Sequence, residues 1–198
     1  MTGFRALRDD MEAVDEQVTK TDWLRISSDL TDVSYEPKDE IFPEFRVTKA
    51  VLFVVSGTTA SERTLADGST PIARFFEPGH LCTNLDSFWL RENALERLFA
   101  ITSVTGILIP HEIFEAEYLD GGPFGRYLRK KVMQTLIFDK SVLVAKTLTN
   151  SEMRMRFLET EYRNVVRDVP AMHLARFLGM TPQGFSRFQK NRQRVNSG

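Results

Sequence analysis

The hydrophobic positions of this chain change period twice. Near the start, Phe4, Leu7, Met11, Val14 and Val18 recur every three or four residues with Asp and Glu between them. That spacing predicts an amphipathic helix, and a short second helix is expected over 22–28. From about Val33 to Pro110 the texture becomes short β-rich runs: 50–56, 58–65, 71–76 and 99–109. Gly57, Asp67-Gly68 and Pro78-Gly79 punctuate them, and Asp67-Gly68 suits a hairpin because both residues tolerate positive φ. Strands spaced in this way usually close into a sandwich or barrel. Beyond Pro110 the helical period returns, in a short helix over 111–118 and a long one over 124–148. The long helix carries Leu128, Val132, Leu136 and Leu143 on one stripe and Met133, Ile137 and Val144 on the next. Two adjacent stripes require cover on more than one side. The expected covers are the β-rich domain and a second copy of the chain, making a homodimer through residues 124–148. Complete burial in a monomer is the other reading. Asn150 and Ser151 can cap a further helix running through Tyr162, and Val169-Pro170 opens a last pair.

That last pair has the spacing of a helix-turn-helix. With Gly179 at the turn, Ala175 falls where two helices cross and only a small side chain fits. Leu174, Leu178, Met180, Phe185 and Phe188 then take buried positions. Thr181 caps the second helix, and Pro182 occupies its first turn, where a missing N–H costs nothing. The exposed face of this helix begins with Gln183, Ser186, Arg187 and Lys190. In a major groove, Gln can pair with adenine and Arg with guanine. Arg192 and Arg194 suit phosphates, which supply affinity without sequence information. Thr181, Gln183, Ser186, Arg187, Lys190 and Arg192 are therefore the candidate DNA-binding residues.

Charge adds to this picture. The whole chain carries a formal charge of only −1, but after Asp168 there are five basic residues and no acid. The last thirty residues thus hold +5 and the first 168 hold −6, an asymmetry suited to a polyanion such as double-stranded DNA. The bland alternative is a helical hairpin with a solvated basic face.

Composition narrows the chemistry. One cysteine, Cys82, rules out a disulfide framework and any cysteine-held iron–sulfur or zinc site within one chain. His80, His111 and His173 have no metal-ligand spacing, so no metal is expected. Phosphate loops, Ser/His/Asp arrangements and HExxH are all absent, and no catalytic residue is assigned. The charged N-terminus lacks the apolar core of a secretion signal, and the longest apolar run, 50–55, is too short to span a bilayer. A soluble, cytoplasmic protein is expected.

Three stretches then carry a family resemblance. "VLFVVSG" (51–57) resembles the strand before the first β turn of the Crp/Fnr (cyclic-AMP receptor protein-like) transcription regulators. "FFEPGH" (75–80) resembles their strand and turn leading into the phosphate-binding cassette, and "VPAMHLARFLGMTPQGFSRFQKNR" (169–192) their helix-turn-helix. The end soon after the second helix is similar to a Bacteroidetes-like branch with no wing. The resemblance implies an α+β fold: a cyclic-nucleotide-binding-type β-roll (a double-stranded β-helix) with flanking helices, a long dimerisation helix and a C-terminal helix-turn-helix. It divides the chain into an effector domain (1–122), a dimerisation helix (123–149) and a DNA-binding domain (150–198).

The departures bear on the effector. The family's Gly-Glu-Leu becomes Thr83-Asn84-Leu85, and Leu95 stands where an Arg neutralises the cyclic phosphate. A buried phosphate without its cation is strongly disfavoured. Arg97, two residues on, is the one candidate replacement, so Thr83, Asn84, Leu85, Leu95 and Arg97 mark the candidate ligand pocket. No cofactor is expected, cyclic nucleotide included, and any small-molecule effector is unidentified. The expected function is a dimeric, DNA-binding transcriptional regulator, not an enzyme. Two alternatives stand beside it. One is a small-ligand or protein-interaction β-roll module, cupin-like, with a vestigial helix-turn-helix; the other is a cyclic-nucleotide-responsive regulator.

Overall fold

The computed structural model describes residues 2–14 and 19–196; Val18, expected on the first helical stripe, lies outside them. Helix α1 (Thr2–Val14) buries Leu7 and Met11 completely. Helix α2 (Lys20–Ser27) opens on a capping box in which the Thr19 hydroxyl accepts from the Asp22 N–H while the Asp22 carboxylate accepts from the Thr19 N–H.

Eight strands follow among the described residues: β1 (Thr31–Tyr35), β2 (Glu40–Phe42), β3 (Ala50–Ser56), β4 (Thr59–Glu62), β5 (Ile72–Phe76), β6 (Leu81–Cys82), β7 (Arg97–Ala100) and β8 (Val104–Pro110). They form two antiparallel four-stranded sheets, ordered β1-β8-β3-β6 and β2-β7-β4-β5. The run expected over 99–109 is therefore two strands. Ala100 pairs with Thr59 in one sheet and Val104 with Tyr35 in the other, so the chain must turn between them. Asp67-Gly68 does turn the chain between β4 and β5: Gly68 has φ of 79° and the Asp67 carboxylate accepts from the Ser69 N–H. A short helix, α3 (Leu85–Leu90), interrupts the strands after β6 and stops at Arg91, which adopts the left-handed conformation.

Helix α4 (His111–Leu119) leads into the long α5 (Pro123–Thr147), close to its expected bounds. The helical region after it is α6 (Ser151–Glu161), α7 (Arg163–Asp168), α8 (Ala171–Phe177) and α9 (Pro182–Asn196).

Three packed regions hold these layers together. Between the sheets lie Ile41, Leu52, Val54, Phe76, Cys82, Leu98 and Val104. Burial pushes the Cys82 thiol up to about 12, so it stays protonated and inert at neutral pH. On the outer face of the first sheet, α1, α2, α4 and the N-terminal half of α5 pack against Val51, Phe53, Ile107 and Ile109. The third region crosses the expected boundary at 150: Ala60, Ile72, Phe75 and Phe99 of the second sheet join Val142 of α5 and the buried residues of α6 to α9. Both faces of β4 are consequently covered, and Glu62 at its end is 2% exposed. "TASE" has the texture of a solvated hairpin arm; the terminal helices bury it.

Candidate functional site

Helices α8 and α9 meet as the spacing predicts. Ala175 is fully buried at the crossing, with Leu174, Leu178 and Phe185 around it and Met180 and Phe188 partly covered. Gly179 takes φ of 69°, and the Met180 N–H returns to the Ala175 carbonyl at 2.8 Å, closing α8 in a Schellman turn. The Thr181 hydroxyl accepts from the Gly184 N–H at 3.0 Å and caps α9, with Pro182 in the first turn.

Gln183, Ser186, Arg187 and Lys190 are all exposed on one side of α9. Arg187, Lys190 and Arg194 make no ion pair among the described residues. Arg192 departs from its expected place on DNA phosphates. Its guanidinium reaches Glu159 at 2.7 Å and Glu152 at 2.8 Å, both on α6, and these hydrogen bonds raise its pKa. Two residues past Lys190, about 200° around the helix axis, Arg192 points back over α6 and braces α9.

Arg176 is committed as well. With Arg97 of β7 it grips Glu62 from either side, and it also donates to the Thr70 carbonyl. Beside this clasp the Phe177 ring stacks on Phe75 at 5.3 Å, and Tyr162 meets Phe75 edge-on at 5.6 Å. The terminal pair is thus keyed to the second sheet by ions and by rings. Of the five basic residues after Asp168, two are neutralised internally, and the outward charge is concentrated on α9.

The second candidate site is a cavity of about 510 Å³ between β4, β5, the 81–89 turn and α5. Thr83, Asn84, Leu85 and Leu95 line it. Arg97 is absent from its lining: strand alternation carries the side chain to Glu62 instead. Asn84 is also spent, donating to the Glu96 carbonyl at 3.1 Å and to Thr48 at 3.3 Å, and the Thr83 hydroxyl donates to the Ala50 carbonyl. The cations that do line the cavity are Arg63, Arg74 and Lys146. Arg74, 7% exposed, pairs with Asp139 of α5 and lies over the Phe76 and Phe138 rings at 4.5 and 5.2 Å. Lys146 donates to the Ile72 carbonyl at 2.6 Å. The sequence held a signal for Arg74, a lone charge inside the apolar run "IARFF". Lys146 offers none beyond standing two helical turns from Asp139. No group of three or more His, Cys, Asp or Glu that could hold a metal occurs among the described residues.

No protein-family model matches the chain, and no curated protein matches its sequence. Solved structures do match. FixK2 from Bradyrhizobium japonicum aligns with a TM-score of 0.67 at 20% identity, covering 84% of this chain and 86% of that one. The c-di-GMP responsive global regulator CLP from Xanthomonas campestris aligns at 0.66 with 12% identity, over 87% and 91%. A crp/fnr-family transcriptional regulator from Eubacterium rectale aligns at 0.67 with 14% identity, over 90% and 85%. The chain has the Crp/Fnr fold. Within the Crp/Fnr fold the cavity occupies the space between the β-roll and the long helix, and its 82–97 side presents Leu95 and no arginine. No helix among the described residues is long and apolar enough to cross a membrane.

Proposed function

We propose that the protein is a dimeric, DNA-binding transcriptional regulator that reads a two-fold site with α9. The observation that carries this reading is the exposed, uncompensated face of α9. Gln183, Ser186, Arg187 and Lys190 stand clear of the protein at the start of a helix fixed by the Schellman turn and the Thr181 cap, while neighbouring cations are consumed inside. A vestigial helix-turn-helix would have no reason to keep this face basic and unpaired. Gln183 and Arg187 read bases, Lys190 and Arg194 hold phosphates, and Thr181 positions the helix. The structural neighbours include transcriptional regulators, which favours a non-catalytic role.

The second copy is supported by α5. Met133, Leu136, Ile137, Leu143 and Val144 remain exposed along it, whereas Leu128 is buried against the protomer's own roll. Such a contiguous apolar strip on a rigid helix suits pairing with its own two-fold mate. Two α9 helices about one turn of DNA apart, roughly 34 Å, then enter successive major grooves. Regulation is a population shift: an event in the roll or at α5 changes the pose of α8 and α9, transmitted through Glu62, Phe75 and Phe177. Cyclic nucleotide is not the effector in this reading, because the cassette position is Leu95 and Arg97 serves Glu62.

Selection of bound genomic fragments, followed by mobility shifts at low salt, tests the reading. The selected duplex is expected to bind tighter than random DNA. Arg187→Glu abolishes that preference, whereas Arg194→Ala weakens all duplexes about equally and lowers the salt slope by about one. Equal losses at the two positions, or no shift at micromolar protein, overturn it.

A further inference from the structure

The DNA-reading assignment leaves the cavity between the roll and α5 without a role, and its lining has a definite chemical character. At about 510 Å³ it falls within the range of sites for small organic molecules. Phe76, Leu81, Phe88, Trp89, Phe114 and Val142 make its walls mainly apolar and aromatic. Into this setting α5 brings Lys146. Its ammonium has three N–H donors; one goes to the Ile72 carbonyl, and the charge sits 4.5 Å over the Phe177 ring. No carboxylate lies within ion-pair distance of it among the described residues. Burial, with Arg154 nearby and Glu96 only partly offsetting, pushes its pKa down to about 8. Farther along the same wall, Arg74 keeps a buried Nε with no hydrogen-bond partner although its terminal nitrogen holds Asp139. The cavity is therefore apolar in its body and short of one negative charge at the Lys146 end.

Ligand classes can be separated on these facts. A neutral apolar molecule fills the walls but leaves the ammonium as it is. A phosphate brings about two negative charges, more than the one ammonium at that end can match, to a wall that also carries Asp86, Glu96 and Asp139, and the 82–97 turn gives it no arginine. One carboxylate needs only the donors Lys146 has left. We propose that this cavity binds a small organic monocarboxylate, its carboxylate on Lys146 and its apolar body against Phe88 and Trp89. The ammonium that takes the carboxylate also rests on Phe177 of α8, so the ligand reaches the terminal helix pair through one side chain.

The site needs no DNA for its test. In the full chain with Trp23→Phe, Trp89 is the single remaining tryptophan and lies in the cavity wall. Its fluorescence is titrated with octanoate, 1-octanol, octyl phosphate and cyclic AMP, with calorimetry as a second readout. Octanoate is expected to saturate the signal and to bind at least tenfold tighter than octanol or octyl phosphate. Lys146→Met should weaken octanoate at least tenfold and leave octanol unchanged. It should also raise the thermal midpoint, since a buried charge is removed, whereas a lysine kept for structure alone would lower it. Lys146→Arg should retain the preference for octanoate over octanol. Equal binding of octanoate and octanol by the Lys146 protein overturns the proposal even if the variants fail to fold. So does tighter binding of octyl phosphate or cyclic AMP, or no saturation by octanoate at millimolar concentration in either readout. None of these outcomes bears on whether α9 binds DNA.

Discussion

His80 illustrates how one buried side chain sets a pH limit on this fold. Its Nδ1 accepts from the Glu77 N–H at 3.1 Å, and its ring lies 5.7 Å from Phe138. Burial, with the nearby charges of Arg74 and Lys131 outweighing Asp10, pushes its pKa down to about 4. The unfolded chain therefore takes up a proton near pH 6.5 that the folded one refuses until about 4. Stability from this group is intact above pH 6.5 and falls as pH drops toward 4, by about 3 kcal/mol in total. Burial raises the carboxyls of Glu77 and Asp139, which act with the opposite sign. Comparing urea midpoints of the wild type and His80→Gln between pH 7 and 4 isolates the histidine. The wild type should lose more stability over this range, and parallel curves would refute the assignment. Spacing and type alone marked His80 as a residue without metal partners; its neutrality comes first from burial, then from Arg74 six residues before it and from Lys131 on α5.

Helix α5 is the element on which most of the architecture turns. Its N-terminal half is buried by its own protomer at Phe124, Tyr127 and Leu128, and Lys131 ties it to Asp10 of α1 at 2.7 Å. Its middle and C-terminal half keep one side against the cavity and leave Met133, Ile137 and Val144 outside. A charge placed on that outer strip meets water in a monomer but a low-dielectric interface in a pair. Ile137→Asp, at a position 61% exposed, should leave thermal stability of the protomer nearly unchanged and convert a dimer to a monomer in light scattering. A wild-type protein that already elutes as a monomer would end the pairing proposal. The two stripes were legible as a requirement for two covers. Which half of the helix received which cover was not, because periodicity gives a direction around the axis and never a partner.

At the scale of the whole molecule, the roll and the terminal helices share one core. Phe177 stacks on Phe75 from the far side of the expected boundary, the Lys146 ammonium of α5 lies 4.5 Å over the Phe177 ring, and the Glu62 clasp joins the roll to α8. Units packed this closely unfold together. Urea unfolding followed by Trp fluorescence and by far-ultraviolet circular dichroism should give coincident single transitions. Phe177→Ala, which empties a buried site 4% exposed, should cost about 3–5 kcal/mol and separate the two probes. Separate transitions in the wild-type chain would show instead that the core is not shared.

That Leu95 stands where the cassette arginine would be is what the family resemblance implies; the order of elements, the capped turn at Gly179–Pro182 and the basic face of α9 follow from local spacing and side-chain type. Each depends on residues within a turn or two of one another, so the linear chain contains the whole argument. Tertiary structure alone decided which cations are spent and which remain. Arg192 turned to Glu152 and Glu159, Arg97 and Arg176 closed on Glu62, and Lys146 was left with no carboxylate. Arg176 and Glu62 stand 114 positions apart, and only the folded chain brings such residues within ion-pairing distance.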